Sequence, residues 1–293
     1  MAKTREILFF SDAIMSNQNG DMINDNRPRT DETTGKLEMT DVRIKRYARE
    51  EAINRGIKIF VKPTTDEKGK QMDCKKVAAN IIKEELDKKK DKLEQHLKDN
   101  YYDVKLFGVV GTTDPKFNVM GPLQVMWSKS IHEAEVKFTQ GTSSFSSGDN
   151  KTQGTTWSKY YTPYALFKTY MVYNDICAKR QNINVTEEDM ELFKDLLITG
   201  VRSYKSTSKN QMPRLLLEVI YNENFIDGEL DYVKVNYEKS DLELRSIDEF
   251  TFDFSELNNF INIHKSNIDK VRIYMHSKVK AINIPTGVEI LPL

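Results

Sequence analysis

Hydrophobic positions along the chain follow two periods. Residues 5 to 15 alternate as a strand does, with Ile7, Phe9 and Met15 on the inward face. The turn-forming stretch NQNGDMINDNRPR (17 to 29) follows at once and sends Arg27 and Arg29 out around the rigid Pro28. A helix comes next. Thr40 is placed to cap it, Asp41 complements its N-terminal dipole, Gly56 ends it, and Ile44, Tyr47, Ala48 and Ala52 share one face. Arg43, Arg46 and Glu50 lie on another face. Ile57 to Val61 reads as a short strand stopped by Pro63. Across 74 to 99, Val77, Ile81, Leu86, Leu93 and Leu97 recur at helical intervals, which predicts one long amphipathic helix or a broken pair, arranged as an appended lobe. The segment 103 to 111 returns to strand character, and the strand pattern of 117 to 138 is interrupted at Gly121-Pro122, as at an edge or bulge.

The stretch 139 to 159 is rich in Gly, Ser, Thr and Asn, yet carries Phe145 and Trp157. An extended hairpin accounts for both features, and a disordered loop remains the alternative. Thr186 caps a second helix with Met190, Phe193, Leu197 and Val201 along one side. After the flexible polar segment SYKSTSKNQ, Pro213 breaks the chain and RLLLEVIY (214 to 221) forms a buried strand; a short helix and the strand VRIYM (271 to 275) close the pattern. This succession predicts an α+β protein built on a ferredoxin-like sheet with helices on one face.

Composition narrows the chemistry. The chain of 293 residues is 39% hydrophobic, enough for a sizeable core, and its 44 basic and 44 acidic residues cancel. Any polyanion must therefore be held by charge gathered on one face. Cys74 and Cys177 have no paired CxxC spacing, so neither a disulfide framework nor a thiolate zinc site is expected. No leader-like or membrane-spanning run is present, which predicts a cytoplasmic protein without membrane association.

Familiar catalytic motifs fail at single positions. His132-Glu133 opens like a zinc-protease motif, but Val136 stands where the second histidine belongs. Gly35-Lys36 lacks the upstream glycine of a phosphate loop, and Leu37 replaces its hydroxyl. Asn17, Asn19 and Asp21 imitate a calcium loop, but Met22 and Pro28 occupy its glycine and glutamate positions. No metal and no cofactor is expected, and no segment carries the aromatic pattern of an RNA-binding sheet. What remains is basic: Arg27 and Arg29 in the loop, then Arg43, Lys45, Arg46 and Arg49 on the helix. Their forked and point-charge donors suit phosphate oxygens, predicting one continuous basic ledge for a polyanion.

The loop Asn19-Gly20-Asp21 running on to Asp25-Asn26-Arg27-Pro28-Arg29, then Thr40-Asp41-Val42 with Lys45-Arg46, carries a resemblance. Asp103 to Gly108, Gly121-Pro122-Leu123-Gln124 and Ser130-Ile131-His132-Glu133 extend it in order. The chain resembles the repeated backbone subunit of type I CRISPR Cascade surveillance complexes, in the repeat-associated mysterious protein (RAMP) superfamily, nearest the subtype I-B branch. The resemblance implies one RRM-like palm over 1 to 293, with a helical finger at 57 to 102 and a thumb β-hairpin at 137 to 156. It implies a non-catalytic subunit in antiviral defence. Copies form a helical filament along one CRISPR RNA, beside other Cascade subunits, and present the guide for pairing with target DNA.

RNA contact then falls to Asn19, Gly20, Arg27, Arg29, Arg43, Lys45, Arg46 and Arg49, with Lys205 and Lys209 as further phosphate contacts. In such proteins the thumb presses into RNA held by a neighbour and displaces a base. Relatives commonly carry Thr-Met-Gly and then Lys-His there; here Thr152-Gln153-Gly154 and Trp157-Ser158 stand instead. Gln153 offers no apolar wedge, so Phe145 or Trp157 is assigned the stacking role. Two rivals remain: a ribonuclease using Asp21, Asp25 or Asp31, and a purely structural filament protein.

Overall fold

The first apolar run becomes the centre of a sheet buried on both faces. A computed structural model describes residues 1–146, 154–223 and 225–293, excepting the side chains of 143–146 and 154–155. The N-terminal part contains β1 (Arg5–Ser16), β2 (Gly20–Asp21), β3 (Arg27–Pro28), β4 (Lys36–Met39) and α1 (Asp41–Asn54). The helical lobe holds α2 (Cys74–Glu84), α3 (Leu93–Asn100) and α4 (Tyr102–Phe107). Then come β5 (Gly108–Gly111), β6 (Phe117–Met120), β7 (Leu123–Val125), β8 (Ser128–Glu133), β9 (Lys137–Ser146) and β10 (Gly154–Tyr173). The C-terminal part contains α5 (Asp175–Arg180), α6 (Glu187–Ser203), β11 (Gln211–Tyr221), β12 (Lys234–Asn236), β13 (Thr251–Asp253), α7 (Ser255–Ile263), β14 (Ile268–Met275), β15 (Lys280–Ile282) and β16 (Glu289–Pro292).

The main sheet runs β16-β14-β11-β1-β10-β8-β4, with β7 and β9 pairing to other stretches of the long β10. From β14 through β4 every neighbouring pair is antiparallel, and only β16 joins parallel. Alternation along β1 divides its side chains between two cores. Ile7 and Phe9 pack with Tyr47 and Ala48 of α1 and with Phe193 and Leu197 of α6. Leu8 and Phe10 pack on the opposite face with Phe250, Phe252, Leu257 and Ile273. Helices on one face only, as the pattern predicts, is therefore incomplete: α7 and the small sheet β12-β13-β15 cover the other face.

Gly200 sets the approach of α1 and α6, since a Cβ there would lie 2.3 Å from the Tyr47 carbonyl oxygen. A buried charge network ties α6 to the sheet. Glu218 of β11 receives Arg5 at 3.1 Å and Lys194 at 2.6 Å, all three with side chains essentially hidden from solvent. Removing one member would strand a buried charge, a loss of about 3–5 kcal/mol.

Four local expectations are corrected. Met15 is exposed rather than inward, because its φ of 47° turns the strand out of register with its own alternation. Residues 57 to 61 form no strand; the Asp103 carboxylate accepts the Phe60 and Val61 amides at 2.8 and 3.0 Å in place of a strand partner. Residues 102 to 107 are helical, burying Val104, Leu106 and Phe107, and strand character begins only at Gly108, whose φ is +71°. Pro213 does not break the chain but sits inside β11 opposite Ser11, where the register with β1 shifts. At that irregularity its missing N–H costs little. Within 74 to 99 the broken pair is the form adopted, with Asp87 and Lys88 at positive φ in the break.

Candidate nucleic-acid interface

The Asn/Asp/Gly loop is shaped by its own side chains. β2 pairs with β3, and a Cβ on Gly20 would fall 2.0 Å from Asn26 Oδ1. Asn19 Oδ1 accepts from both the amide and the hydroxyl of Thr40 at 3.1 Å, fastening the loop to the start of α1. Thr40 therefore occupies the capping position, but its hydroxyl is directed to Asn19 rather than into the helix. Asp21 accepts from Ile23 N at 3.2 Å and Asn24 Nδ2 at 2.8 Å, with Arg29 3.4 Å away.

The basic residues of loop and helix do not form one ledge. Arg43 is buried between Tyr47 and Tyr204, its guanidinium carbon 4.3 and 4.9 Å from their ring centres. Arg49 pairs with the hidden Asp103 at 2.9 Å and lies over Phe107. Lys45 is largely covered and pairs with Asp41 at 2.9 Å. Arg49 thus ties α1 to α4, while Arg43 packs between α1 and the end of α6 and Lys45 is paired within α1. Arg46 is half exposed, and its partner at 3.1 Å is the partly exposed helical neighbour Glu50, an i,i+4 pair worth only about 0.3–0.5 kcal/mol. Arg27 is exposed, makes no ion pair among the described residues, and rests 5.4 Å from the Tyr160 ring centre.

A different set of cations gathers around the turn between α6 and β11. This segment folds back on itself through a bridge between Ser206 and Lys209. Lys205 Nζ donates to Asn210 Oδ1 at 3.1 Å and to the Gln211 carbonyl. Lys209 Nζ donates to the Asn17 carbonyl, and Lys159 Nζ of β10 donates to the Thr207 carbonyl. Burial, reinforced by the positive charges of Arg43, Arg46 and Lys159, pushes the Lys209 ammonium down to about 8. Arg43, Arg46 and Lys159 all repel the Lys209 ammonium, so the locale favours an incoming anion.

The β9–β10 hairpin stands beside this turn, as the polar stretch predicts. Phe138 lies opposite Tyr160, Thr139 opposite Lys159 and Gly141 opposite Trp157. Alternation puts Trp157 and Lys159 on one face, and Phe138 and Tyr160 on the other with Arg27. Trp157 is half exposed and lies on Gly141, where a Cβ would meet its ring at 2.5 Å. The Phe145 side chain and Gln153 fall outside the described residues. Sequence patterning did not single out Lys159, Tyr160 or Phe138. Their alternation inside the polar hairpin was the available signal.

The other chemical candidates are structurally occupied. His132 is buried, stacked nearly parallel on Tyr164 and hydrogen-bonded to the Glu133 carbonyl, and burial holds it below its ordinary range. Asp31 is held below its usual range chiefly by the Thr34 hydroxyl, with further help from the Thr33 amide. No group of three His, Cys, Asp or Glu among the described residues is placed to hold a metal. No helix is long and apolar enough to cross a membrane.

A family model described as "CRISPR-associated protein Cas7" matches residues 3–255. A curated relative of that description, from Haloferax volcanii, is 28% identical over 298 residues, covering 92% of this chain and 85% of its own. Among solved structures, a chain of a CRISPR RNA-guided surveillance complex in a pre-nicking state superposes with a TM-score of 0.60 at 15% identity, covering 99% of this chain and 96% of its own. A chain of another CRISPR RNA-guided surveillance complex gives 0.52 at 14% identity, covering 96% and 95%.

Proposed function

The chain belongs to the Cas7 family of CRISPR-associated proteins, and from that membership we propose that it is a CRISPR RNA-binding backbone subunit. Copies line the guide and present it for pairing with target DNA, in company with the other subunits of a Cascade complex in the cytoplasm. The subtype I-B branch is the one its loop motifs resemble. The order of β1, α1, β8, β10, α6 and β11 along the chain, with the sheet order β11-β1-β10-β8, supports an RRM-like palm. Residues 57 to 102 serve as the finger and the β9–β10 hairpin as the thumb.

The observation that carries this reading is the gathering of Arg46, Lys159 and Lys209 at the base of the hairpin, where among the described residues Arg46 alone has an acidic partner, its helical neighbour Glu50. We assign guide phosphates to these three and to Arg27, with Arg29 and Lys205 at the margin. Asn19 and Gly20 shape the loop, while Arg43, Lys45 and Arg49 support the groove from behind. Such contacts are blind to sequence, as a subunit that displays guide bases requires. The role is non-catalytic: Asp21, which a ribonuclease would employ, has both carboxylate oxygens engaged within its own loop. The purified protein is expected to add copies as the RNA is lengthened, and to leave a labelled RNA intact in magnesium. Cleavage that disappears in Asp21→Asn would overturn the non-catalytic assignment.

A further inference from the structure

We infer that the cleft between α7 and the segment leading into β12 is a docking surface for a partner protein, one whose segment presents an aliphatic side chain flanked by arginines. The cleft measures ≈ 510 Å³, and its elements cover the face of the sheet opposite α1 and α6. Its floor is aromatic: Phe260 is stacked on Tyr232 with ring centres 4.5 Å apart, and His264 lies 4.9 Å from Phe260. Ile263 lines the same cleft with 75% of its surface exposed, while Leu257 and Phe260 already fasten α7 to the core. A lone exposed isoleucine is ordinary, but this one stands at the edge of an aromatic floor. The other outward positions near it on α7 are Asn258, Asn259 and Asn262, all uncharged. A solvated helix face ordinarily carries charge; a charge-free centre with aromatic rings inside a charged rim is the anatomy of a protein interface.

The rim selects the partner. Glu229, Asp231 and Glu256 line the cleft, and among the described residues no lysine or arginine does. Asp231 reaches Lys168 at 2.6 Å and Glu256 reaches Lys234, both in solvent-exposed pairs that exchange readily. Glu229 is exposed and has no ion pair among the described residues. Carboxylates beside an aromatic floor fit a guanidinium, which pairs with the acids through its forked N–H groups and lies flat on a ring. The same acids repel a polyanion, so RNA is not the occupant. In a chain of zero net charge, cations gathered at the base of the hairpin leave acids elsewhere, and here those acids surround an apolar cleft. Docking at this surface uses none of Arg46, Lys159 or Lys209.

The test follows the Ile263 methyl resonance of the full chain by NMR, assigned by its loss in Ile263→Val, while an acetylated and amidated helical peptide of leucines and arginines is added up to about 1 mM. A saturable shift is expected with this peptide, and none with versions that carry glutamate for arginine or serine for leucine. Glu229→Lys should weaken the binding by about tenfold, and Glu229→Gln by less. The side chain is exposed, so thermal melts should report both variants as folded. Saturating RNA should leave the affinity for the peptide unchanged. Absence of a saturable shift, an equal response to the glutamate peptide, or full affinity in Glu229→Lys overturns the inference. Competition between RNA and the peptide overturns it by making the cleft part of the nucleic-acid site. An Ile263 shift that grows with protein concentration alone overturns it by naming a second copy as the occupant.

Discussion

Arg43, Arg46 and Arg49 recur every third residue on one helix, and only their partners separate them: two tyrosine rings, a partly exposed helical glutamate and a buried aspartate. Lys209, a candidate phosphate contact from the sequence, is surrounded by cations in the structure. Its folded value, about 8, lies below its unfolded value of 10.5, so the unfolded chain holds the proton more tightly between the two. The penalty this group places on folding is fully present below about 8 and is relieved as pH rises from there to 10.5. Bound phosphate acts oppositely by favouring the ammonium. RNA affinity of the wild type should therefore fall between about pH 7 and about pH 9, and Lys209→Arg, charged throughout, should flatten that fall in an anisotropy titration.

Elements with a long period were read well, and short ones were not. β1, α1 and α6 appear close to where their patterns place them, because each has a continuous apolar face for the sheet or helix layer it meets. The segment 57 to 61 has strand composition but no partner strand, and Asp103, far along the chain, satisfies two of its amides instead. No local pattern carries that information. The same carboxylate receives Arg49, so one buried side chain joins α4, the 57 to 61 segment and α1. Asp103→Ala should accordingly lower the unfolding free energy by about 3–5 kcal/mol in urea titration, with the helical lobe losing amide-exchange protection first.

At the scale of the whole molecule, a chain of zero net charge can hold a polyanion only by segregation. The structure supplies it through acids that pair with α1 and the loop, with cations left over where hairpin, turn and α1 converge. The second face of the sheet, closed by α7 and the β12-β13-β15 sheet, was not anticipated, since Leu8 and Phe10 read as strand positions without naming what covers them. The most direct test of the account is the salt dependence of binding to an RNA long enough for one copy, compared between wild type and the Arg46→Ala, Lys159→Ala, Lys209→Ala triple variant. Loss of three phosphate contacts should reduce the slope of log affinity against log salt by about 2. An unchanged slope in the folded triple variant would contradict the account.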